Sequence, residues 1–192
     1  KRENHALITT MQARNGRDGN AATTKAKNKN YALGGIMLAL SVVTLFLASF
    51  VPGFELTLYA VSSLYTAVMI METRVKGGGL FYIASSILAL LLVPNKAAVL
   101  PYLFFFGLYG IVKFYIEKIR KQPVEIILKL VFFNASIGSG ILLFKAAFLG
   151  NVHLPEYSNI LLVLGAQPLF LLYDYIFTLL IAFYKKRFSK GQ

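Results

Sequence analysis

Asp174 is the residue whose type and position most invite chemistry, because it is an acid inside a long apolar segment. It lies about 15 Å from the basic end of that segment at the helical rise per residue. An ionised carboxylate at such a depth costs about 2.5–3.5 kcal/mol on insertion scales. We therefore expect it to face a polar partner, a cavity or another subunit, or to be protonated. An internal structural pair with Asn134 or a tyrosine hydroxyl is the alternative.

Two further polar residues lie within apolar segments. Asn134 opens the stretch NASIGSG, whose small residues allow close helix approach. This stretch either packs against another helix or loosens its own helix beside a ligand cavity. Gln167 precedes Pro168, which removes a backbone donor from its helix. Gln167 therefore either contacts a ligand or satisfies the carbonyl that the proline frees.

Signatures of enzymes and metal sites are missing from the sequence. The histidines are His5, in the polar N-terminal stretch, and His153, in a predicted loop, so there is no His-x-x-x-His pair. The chain has no cysteine, which excludes disulfides, thiolate catalysis and cysteine-ligated metals. The sequence predicts no catalytic activity, no metal site and no cofactor.

The composition indicates the elements that position these residues. Hydrophobic residues make up 57% of the chain and charged residues 15%, whereas soluble domains carry about a quarter charged residues. The apolar residues form runs of membrane length. We predict an all-α integral membrane protein, a compact bundle of six transmembrane helices. The predicted spans are 31–51, 56–72, 79–93, 97–116, 124–148 and 159–184.

Lysine and arginine distribution predicts the orientation. Eighteen of the 20 basic residues fall in segments that share one side of the six-span scheme, and basic loops face the cytoplasm. Both termini are therefore predicted to be cytoplasmic, in a multi-pass protein of the cell membrane, with a bacterial inner membrane as the expected site. Lys113 and Lys129 lie near the inner boundary and are expected to snorkel towards it. The net charge of +12 is thus explained by contacts of the basic residues with the lipid bilayer and not by binding of nucleic acid.

The chain divides into a predicted tail, a membrane domain and a short end. Residues 1–30 are predicted to be a mobile basic cytoplasmic tail, part of which could be an upstream remnant. Residues 31–187 form the six-helix domain, and 188–192 are a cytoplasmic C-terminal tail. Between the second and third spans, glycines 77–79 predict a flexible tight turn.

The layout as a whole, over about residues 31–187, resembles the substrate-binding S component of an energy-coupling factor (ECF) transporter. The shared features are six spans, cytoplasmic ends, short second and third spans, and a polar hairpin before the last span. The resemblance implies binding of a vitamin-like micronutrient from outside, and docking onto a membrane coupling subunit driven by ATPases. The family's first helix carries Ala-x-x-x-Ala; here Gly35 and Ala39 match, Ala32 is out of register, and Val43 stands where a small residue is expected.

The resemblance also implies which residues act. The residues that it implies for docking onto the coupling subunit are Ala32, Gly35 and Ala39. Ligand contacts are expected from the outer loops and the outer halves of the last three helices. Together with Asn134, the candidate ligand residues are Asn95, Lys96, Tyr102, His153, Tyr157, Asn159 and Gln167.

Other functions remain open at this point. A non-catalytic interaction or structural subunit of a larger membrane complex would have a filled interior, with Asp174 and the small-residue faces as contacts. A membrane enzyme would need paired titratable groups at one depth, and Asp174 is the only one that the sequence places well inside a predicted span. A self-contained carrier would show an internal repeat more often than not, and no convincing repeat is visible.

Overall fold

The structure, a computed structural model, describes residues 2–144 and 156–188. Side chains are described within 20–144 and 164–187, except at positions 22, 26, 141, 143 and 144. Every regular element in these residues is a helix. The α-helices are α1 (Arg2–Ala48), α2 (Glu55–Leu92), α3 (Gly107–Ile116), α4 (Gln122–Phe144) and α5 (Glu156–Phe188). Three short helices join them: the 3-10 helices Lys96–Val99 and Glu117–Ile119, and the π-helix Tyr102–Phe106.

The chain forms two compact units, Lys1–Met37 and Leu38–Gln192. In the first unit the described residues are helical from Arg2, whereas the sequence predicted a mobile tail over 1–30. A polar, basic composition does not by itself prevent a helix, because Ala, Lys and Arg have high helix propensity. The domain boundary at residue 30 stays a prediction.

Within the described residues, five helical stretches are long and apolar enough to cross a membrane. They are Thr23–Ala48, Glu55–Leu92, Lys96–Ile119, Gln122–Gly140 and Leu164–Arg187. Large apolar side chains are widely exposed along them, for example Leu80 at 69% and Leu169 at 65%. Exposed apolar surface on this scale suits hydrocarbon better than water. The prediction of an all-helical protein with several membrane-length helices is confirmed for residues 2–144 and 156–188, which contain five such helices where the sequence predicted six spans.

Helix α2 is broken at Arg74, which has φ 64° and ψ −179°. The Cα of Ile70 lies 3.3 Å from the position that a Cβ on Gly78 would take. Residues eight apart in a straight helix are separated by about 12 Å. The chain therefore folds back at Arg74, and α2 consists of two antiparallel arms, 55–73 and 75–92.

Contacts farther from the turn agree with this fold-back. Tyr59 and Ser85 would lie about 39 Å apart along a straight helix. The Tyr59 ring nevertheless lies 5.5 Å from the ring of Phe106, and the Ser85 hydroxyl lies 2.6 Å from that of Tyr102. Tyr102 and Phe106 are the two ends of one short π-helix. The two arms of α2 thus pack against the same stretch of chain, which leads into α3.

The glycines after Arg74 serve close packing of the arms. Gly77, Gly78 and Gly79 are all helical, so the predicted flexible turn at 77–79 is wrong and the turn is confined to Arg74. A Cβ on Gly77 would stand 2.0 Å from Thr73 Oγ1, and a Cβ on Gly78 would stand 2.2 Å from Ile70 Cγ1. Any side chain at either position would force the arms apart.

The backbone of Arg74 yields a first testable prediction. Its φ and ψ lie in a region that is essentially restricted to glycine, and occupying it costs other residues about 1–3 kcal/mol. We expect Arg74→Gly to raise the free energy of unfolding by about 1 kcal/mol, measured by denaturant titration in detergent. Lys76→Gly, at an exposed helical position of the second arm, should lower it by about 1 kcal/mol. If Arg74→Gly and Lys76→Gly lowered the free energy of unfolding equally, the result would contradict the turn at Arg74.

Hydrogen bonds between side chains join the helices of the second unit. The buried hydroxyls of Ser41 and Ser62 lie 2.9 Å apart and connect α1 to α2. The hydroxyls of Ser63 and Tyr173 lie 2.7 Å apart and connect α2 to α5. Hydroxyl pairs of this kind hold helices together where apolar burial gives no advantage over lipid. The second pair anchors α5, which also carries Gln167 and Asp174.

Candidate functional site: a buried charge cluster and an amide pair

Six polar side chains from α3, the 3-10 helix that follows it, α4 and α5 converge in the second unit. We call them the charge cluster: Tyr109, Lys113, Glu117, Lys129, Asp174 and Thr178.

Asp174 is the centre of the charge cluster. It accepts hydrogen bonds from Lys113, from the hydroxyl of Tyr109, and from Lys129 Nζ at 2.8 Å. Lys113 Nζ also donates to Thr178 Oγ1 at 2.8 Å, and the Thr178 hydroxyl donates to the backbone oxygen of Asp174 at 2.7 Å. Every oxygen of this carboxylate therefore has a donor, which is what an ionised group needs when it is withdrawn from water.

Glu117 is the second acid of the cluster. Its Oε1 lies 2.8 Å from Lys113 Nζ and 3.3 Å from Lys129 Nζ. Two ammonium groups and two carboxylates thus balance in charge. The side chain of Lys113 is 2% exposed, that of Lys129 7%, that of Asp174 17% and that of Glu117 41%. Because desolvated charges are stable only when paired, each lysine depends on both acids.

Helical spacing explains how these residues come together. Tyr109, Lys113 and Glu117 follow one another at four-residue intervals, so they share one face around α3. Asp174 and Thr178 have the same spacing on α5. Lys129 lies on α4, on the helical turn before Phe133. The three α-helices and the 3-10 helix that begins at Glu117 therefore supply one charged layer.

The arrangement differs from the sequence expectation for the lysines. Lys113 and Lys129 were expected to snorkel to the inner boundary, and the structure instead directs both to Asp174. Asp174 is therefore not isolated. Of its two proposed internal partners, a tyrosine hydroxyl is present as Tyr109, whereas Asn134 bonds elsewhere. The spacing of Lys113 and Glu117 was a local signal for an ion pair; the pairing with Asp174 had none.

Asn134 and Gln167 form a second polar contact, which we call the amide pair. Gln167 Nε2 donates to Asn134 Oδ1 at 2.8 Å, and Asn134 Nδ2 donates to the Leu130 carbonyl at 2.8 Å. Gln167 Oε1 is buried and has no hydrogen-bond partner among the described residues. Asn134 is exposed. The pair thus combines an exposed amide with an acceptor that has no donor.

Aromatic rings separate the amide pair from the charge cluster. Phe133 directly precedes Asn134 on α4, and Phe170 lies three residues after Gln167 on α5. Their rings stack at 4.5 Å with an interplanar angle of 12°. Phe105 lies edge-on to both, at 5.4 and 5.8 Å. The Tyr109 ring lies 5.7 Å from Phe170, while its hydroxyl bonds to Asp174. We call Phe105, Tyr109, Phe133 and Phe170 the aromatic layer; it fills the space between the two polar sites.

Other predicted ligand residues have structural contacts. Asn95 caps the short helix after α2, because its side chain accepts from the Ala97 N–H at 3.1 Å. Lys96 Nζ donates to the carbonyls of Val93, at 2.8 Å, and Leu90. Tyr102 is fully buried and bonds to Ser85 at 2.6 Å.

The remaining predicted ligand residues cannot be placed in a site. His153 lies outside the described residues, as do the side chains of Tyr157 and Asn159. Among the predicted ligand residues whose side chains the structure describes, Asn134 and Gln167 are the pair that it joins by a hydrogen bond. The ligand roles of all eight residues stay predictions.

The predicted docking residues lie on α1. Ala32, Gly35 and Ala39 are all exposed, and a Cβ on Gly35 would meet nothing within 4 Å. Ala32 and Gly35 belong to the first unit and Ala39 to the second. All three small residues are therefore accessible on the surface of α1.

Within the described residues, no three His, Cys, Asp or Glu side chains are grouped so that they could hold a metal ion.

Comparisons with known proteins add no family. No protein-family model, no curated protein and no solved structure matches this chain.

Proposed function

We propose that the chain is a membrane-embedded binding subunit for uptake. It takes a small, vitamin-like micronutrient from outside the cell and works with an ATP-driven coupling module. The resemblance to ECF S components and the amide pair both support this function. The amide pair is the observation that carries it.

The proposal includes six membrane crossings with both termini in the cytoplasm. If each arm of α2 crosses separately, each is about 27–28 Å long, close to the thickness of a hydrocarbon core of about 30 Å. The turn at Arg74 and the basic residues after α3 and at the end of α5 then lie on the cytoplasmic side of the cell membrane. This placement agrees with the distribution of the 20 Lys and Arg residues.

The amide pair supports ligand binding through its position and its vacant acceptor. Asn134 lies about 18 Å along α4 from Gln122, a depth at which an exposed amide is unfavourable in lipid. It therefore faces a water-filled space, a bound molecule or another protein helix, and this proposal takes the bound molecule. Gln167 Oε1 lacks a donor among the described residues, and a ligand N–H or O–H would supply one. In the proposed topology this site opens to the outside.

The charge cluster does not make the chain an enzyme in this proposal. It does supply titratable groups at one depth, which the sequence analysis had not found. However, Lys113, Lys129 and Asp174 are engaged with one another and are shielded from the amide pair by the aromatic layer. Their contacts favour a structural role over attack on a substrate.

The ligand proposal predicts a loss on changing Gln167. Native mass spectrometry of the purified wild type should show a co-purified small molecule. Gln167→Leu should lower its occupancy by about tenfold, because an apolar side chain cannot accept the ligand's hydrogen bond. Ser139→Ala is the control, since Ser139 is exposed on the same helix as Asn134 and its hydroxyl bonds only within α4, to the Ala135 carbonyl. A wild-type protein that is always empty would contradict ligand binding.

Docking onto the coupling subunit is tested on α1. Gly35→Leu combined with Ala39→Leu should abolish co-purification with a membrane coupling subunit, because the larger side chains hold the partner helix away. Leu40→Met is the control, since Leu40 is already a large exposed residue on α1, at 44%, and lies outside the register of Gly35 and Ala39. Intact association of the double variant would remove α1 as the docking face.

A non-catalytic interaction subunit is the second candidate. The aromatic layer favours it, because stacked rings occupy the centre of the helices where an internal ligand cavity would lie. On this alternative the amide pair meets another protein helix. An empty protein in mass spectrometry, combined with loss of partner association on Asn134→Leu, would favour the second candidate over the first.

A further inference from the structure

The two acids of the charge cluster are held very differently. Asp174 has donors from Tyr109, Lys113 and Lys129, and its side chain is 17% exposed. Glu117 receives the same two lysines on a single oxygen, one of them at 3.3 Å, and is 41% exposed. Asp174 is thus anchored within the cluster, whereas Glu117 covers its accessible side.

The chain around Glu117 is positively charged and irregular. Glu117 begins the short 3-10 helix Glu117–Ile119, and the next residue, Arg120, has φ 55° in the left-handed region. Lys118, Arg120 and Lys121 are all exposed on this turn. An anion approaching the turn would therefore meet three accessible cations before it reached the lysines of the cluster.

We propose that Lys113 and Lys129 form a binding site for an exchangeable oxyanion, a phosphate group above all, and that Glu117 is its tethered occupant in this structure. Both ammonium groups already point at one carboxylate oxygen, and a phosphate offers several strong acceptor oxygens with greater charge. Asp174 keeps its donors while the occupant changes. Release of Glu117 would then free the turn between α3 and α4.

Two sources share this chemistry: free phosphate and the headgroup of an anionic phospholipid. Lys113 lies in Lys96–Ile119 and Lys129 in Gln122–Gly140, and both stretches are long and apolar enough to span a membrane. Glu117 covers the site from the side of the α3–α4 turn. Both sources can reach a turn at the membrane surface. The experiment below separates them.

The experiment replaces the tethered carboxylate. Glu117→Gln leaves the two buried lysines with Asp174 alone, so its melting temperature in chloride should fall below that of the wild type. In phosphatidylcholine nanodiscs, replacing chloride with phosphate at matched ionic strength should raise the melting temperature of Glu117→Gln by about 3 °C. Phosphatidylglycerol nanodiscs in chloride buffer form the lipid arm. A rise in the first arm assigns the free ion, and a rise in the second assigns the headgroup.

Three controls make the result specific. The wild type should respond less than Glu117→Gln, because phosphate must first displace Glu117 from the two lysines. Glu125→Gln removes an acid from the first turn of α4 and should not create a response. The double variant Glu117→Gln with Lys129→Met removes one of the two lysines and should abolish the response.

The proposal can still be supported or overturned if Glu117→Gln is unstable. If Glu117→Gln does not survive purification in chloride, the yield of monodisperse protein in phosphate against chloride becomes the measured quantity. Absence of a response in both arms would overturn the proposal. An equal response in Glu125→Gln would also overturn it, because the effect would then come from general screening.

Discussion

Replacing Asp174 with Asn is expected to lower the free energy of unfolding by about 3–5 kcal/mol, the usual cost of breaking a buried ion pair by removing one partner. Asn keeps the shape of the side chain and loses its charge. Lys113 and Lys129, 2% and 7% exposed, would then share only the partly exposed Glu117. We expect expression and helix assembly to suffer more than ligand occupancy, because the aromatic layer separates Asp174 from the amide pair.

Denaturant titration in detergent, followed by circular dichroism, measures this effect. Tyr175→Phe is the control, since Tyr175 is adjacent in sequence but 64% exposed, and it should change the free energy of unfolding by less than about 0.5 kcal/mol. Adding Lys129→Met to Asp174→Asn restores the charge balance and should recover part of the loss. A double variant less stable than the single one, or lost ligand binding with unchanged assembly, would contradict this role for Asp174.

Gly78→Ala is expected to lower the free energy of unfolding by about 1–3 kcal/mol, as overpacking does in tight cores. The added Cβ would stand 2.2 Å from Ile70 Cγ1 and 3.3 Å from the Ile70 backbone. Ile70 is only 5% exposed and has little room to move. The two arms of α2 would have to separate near the turn at Arg74.

The neighbouring glycine provides the matched control. A Cβ on Gly79 would meet nothing within 4 Å, so Gly79→Ala should leave the arms in place and raise the free energy of unfolding by up to about 1 kcal/mol through helix propensity. The same titration measures both variants. Equal effects at positions 78 and 79 would mean that the arms do not approach each other as described.

The sequence predicted the helical class because long apolar runs have few other solutions in lipid. It also separated the second and third spans, at the basic residues around Arg74. It misplaced the turn itself, since a run of three glycines is more often a loop than a packing surface. Close approach between Ile70 and Gly78 depends on the fold-back, which no local pattern encodes.

The polar sites could be predicted only in part. Asp174 was predicted from its residue type and its depth within a span, because an unpaired charge in the membrane is energetically costly. Its partners Lys113 and Lys129 come from other helices, and their nearness to a predicted boundary suggested snorkelling instead. Asn134 and Gln167 were predicted separately from small residues and a proline, and their contact at 2.8 Å arises from tertiary packing. Asn95 and Lys96 cap helix ends. A polar residue at a span boundary can cap a helix or bind a ligand, and the sequence pattern is the same in both cases.

The central claim is that the chain crosses the membrane six times, with α2 contributing two crossings. The sequence contains no cysteine, so single cysteines can be introduced at Pro52, Lys76 and Pro94 and treated with a membrane-impermeant maleimide in intact cells. The account predicts labelling of Pro52→Cys and Pro94→Cys from outside, and labelling of Lys76→Cys only after the membrane is permeabilised. Labelling of just one of positions 52 and 94 in intact cells would place them on opposite faces and contradict the account.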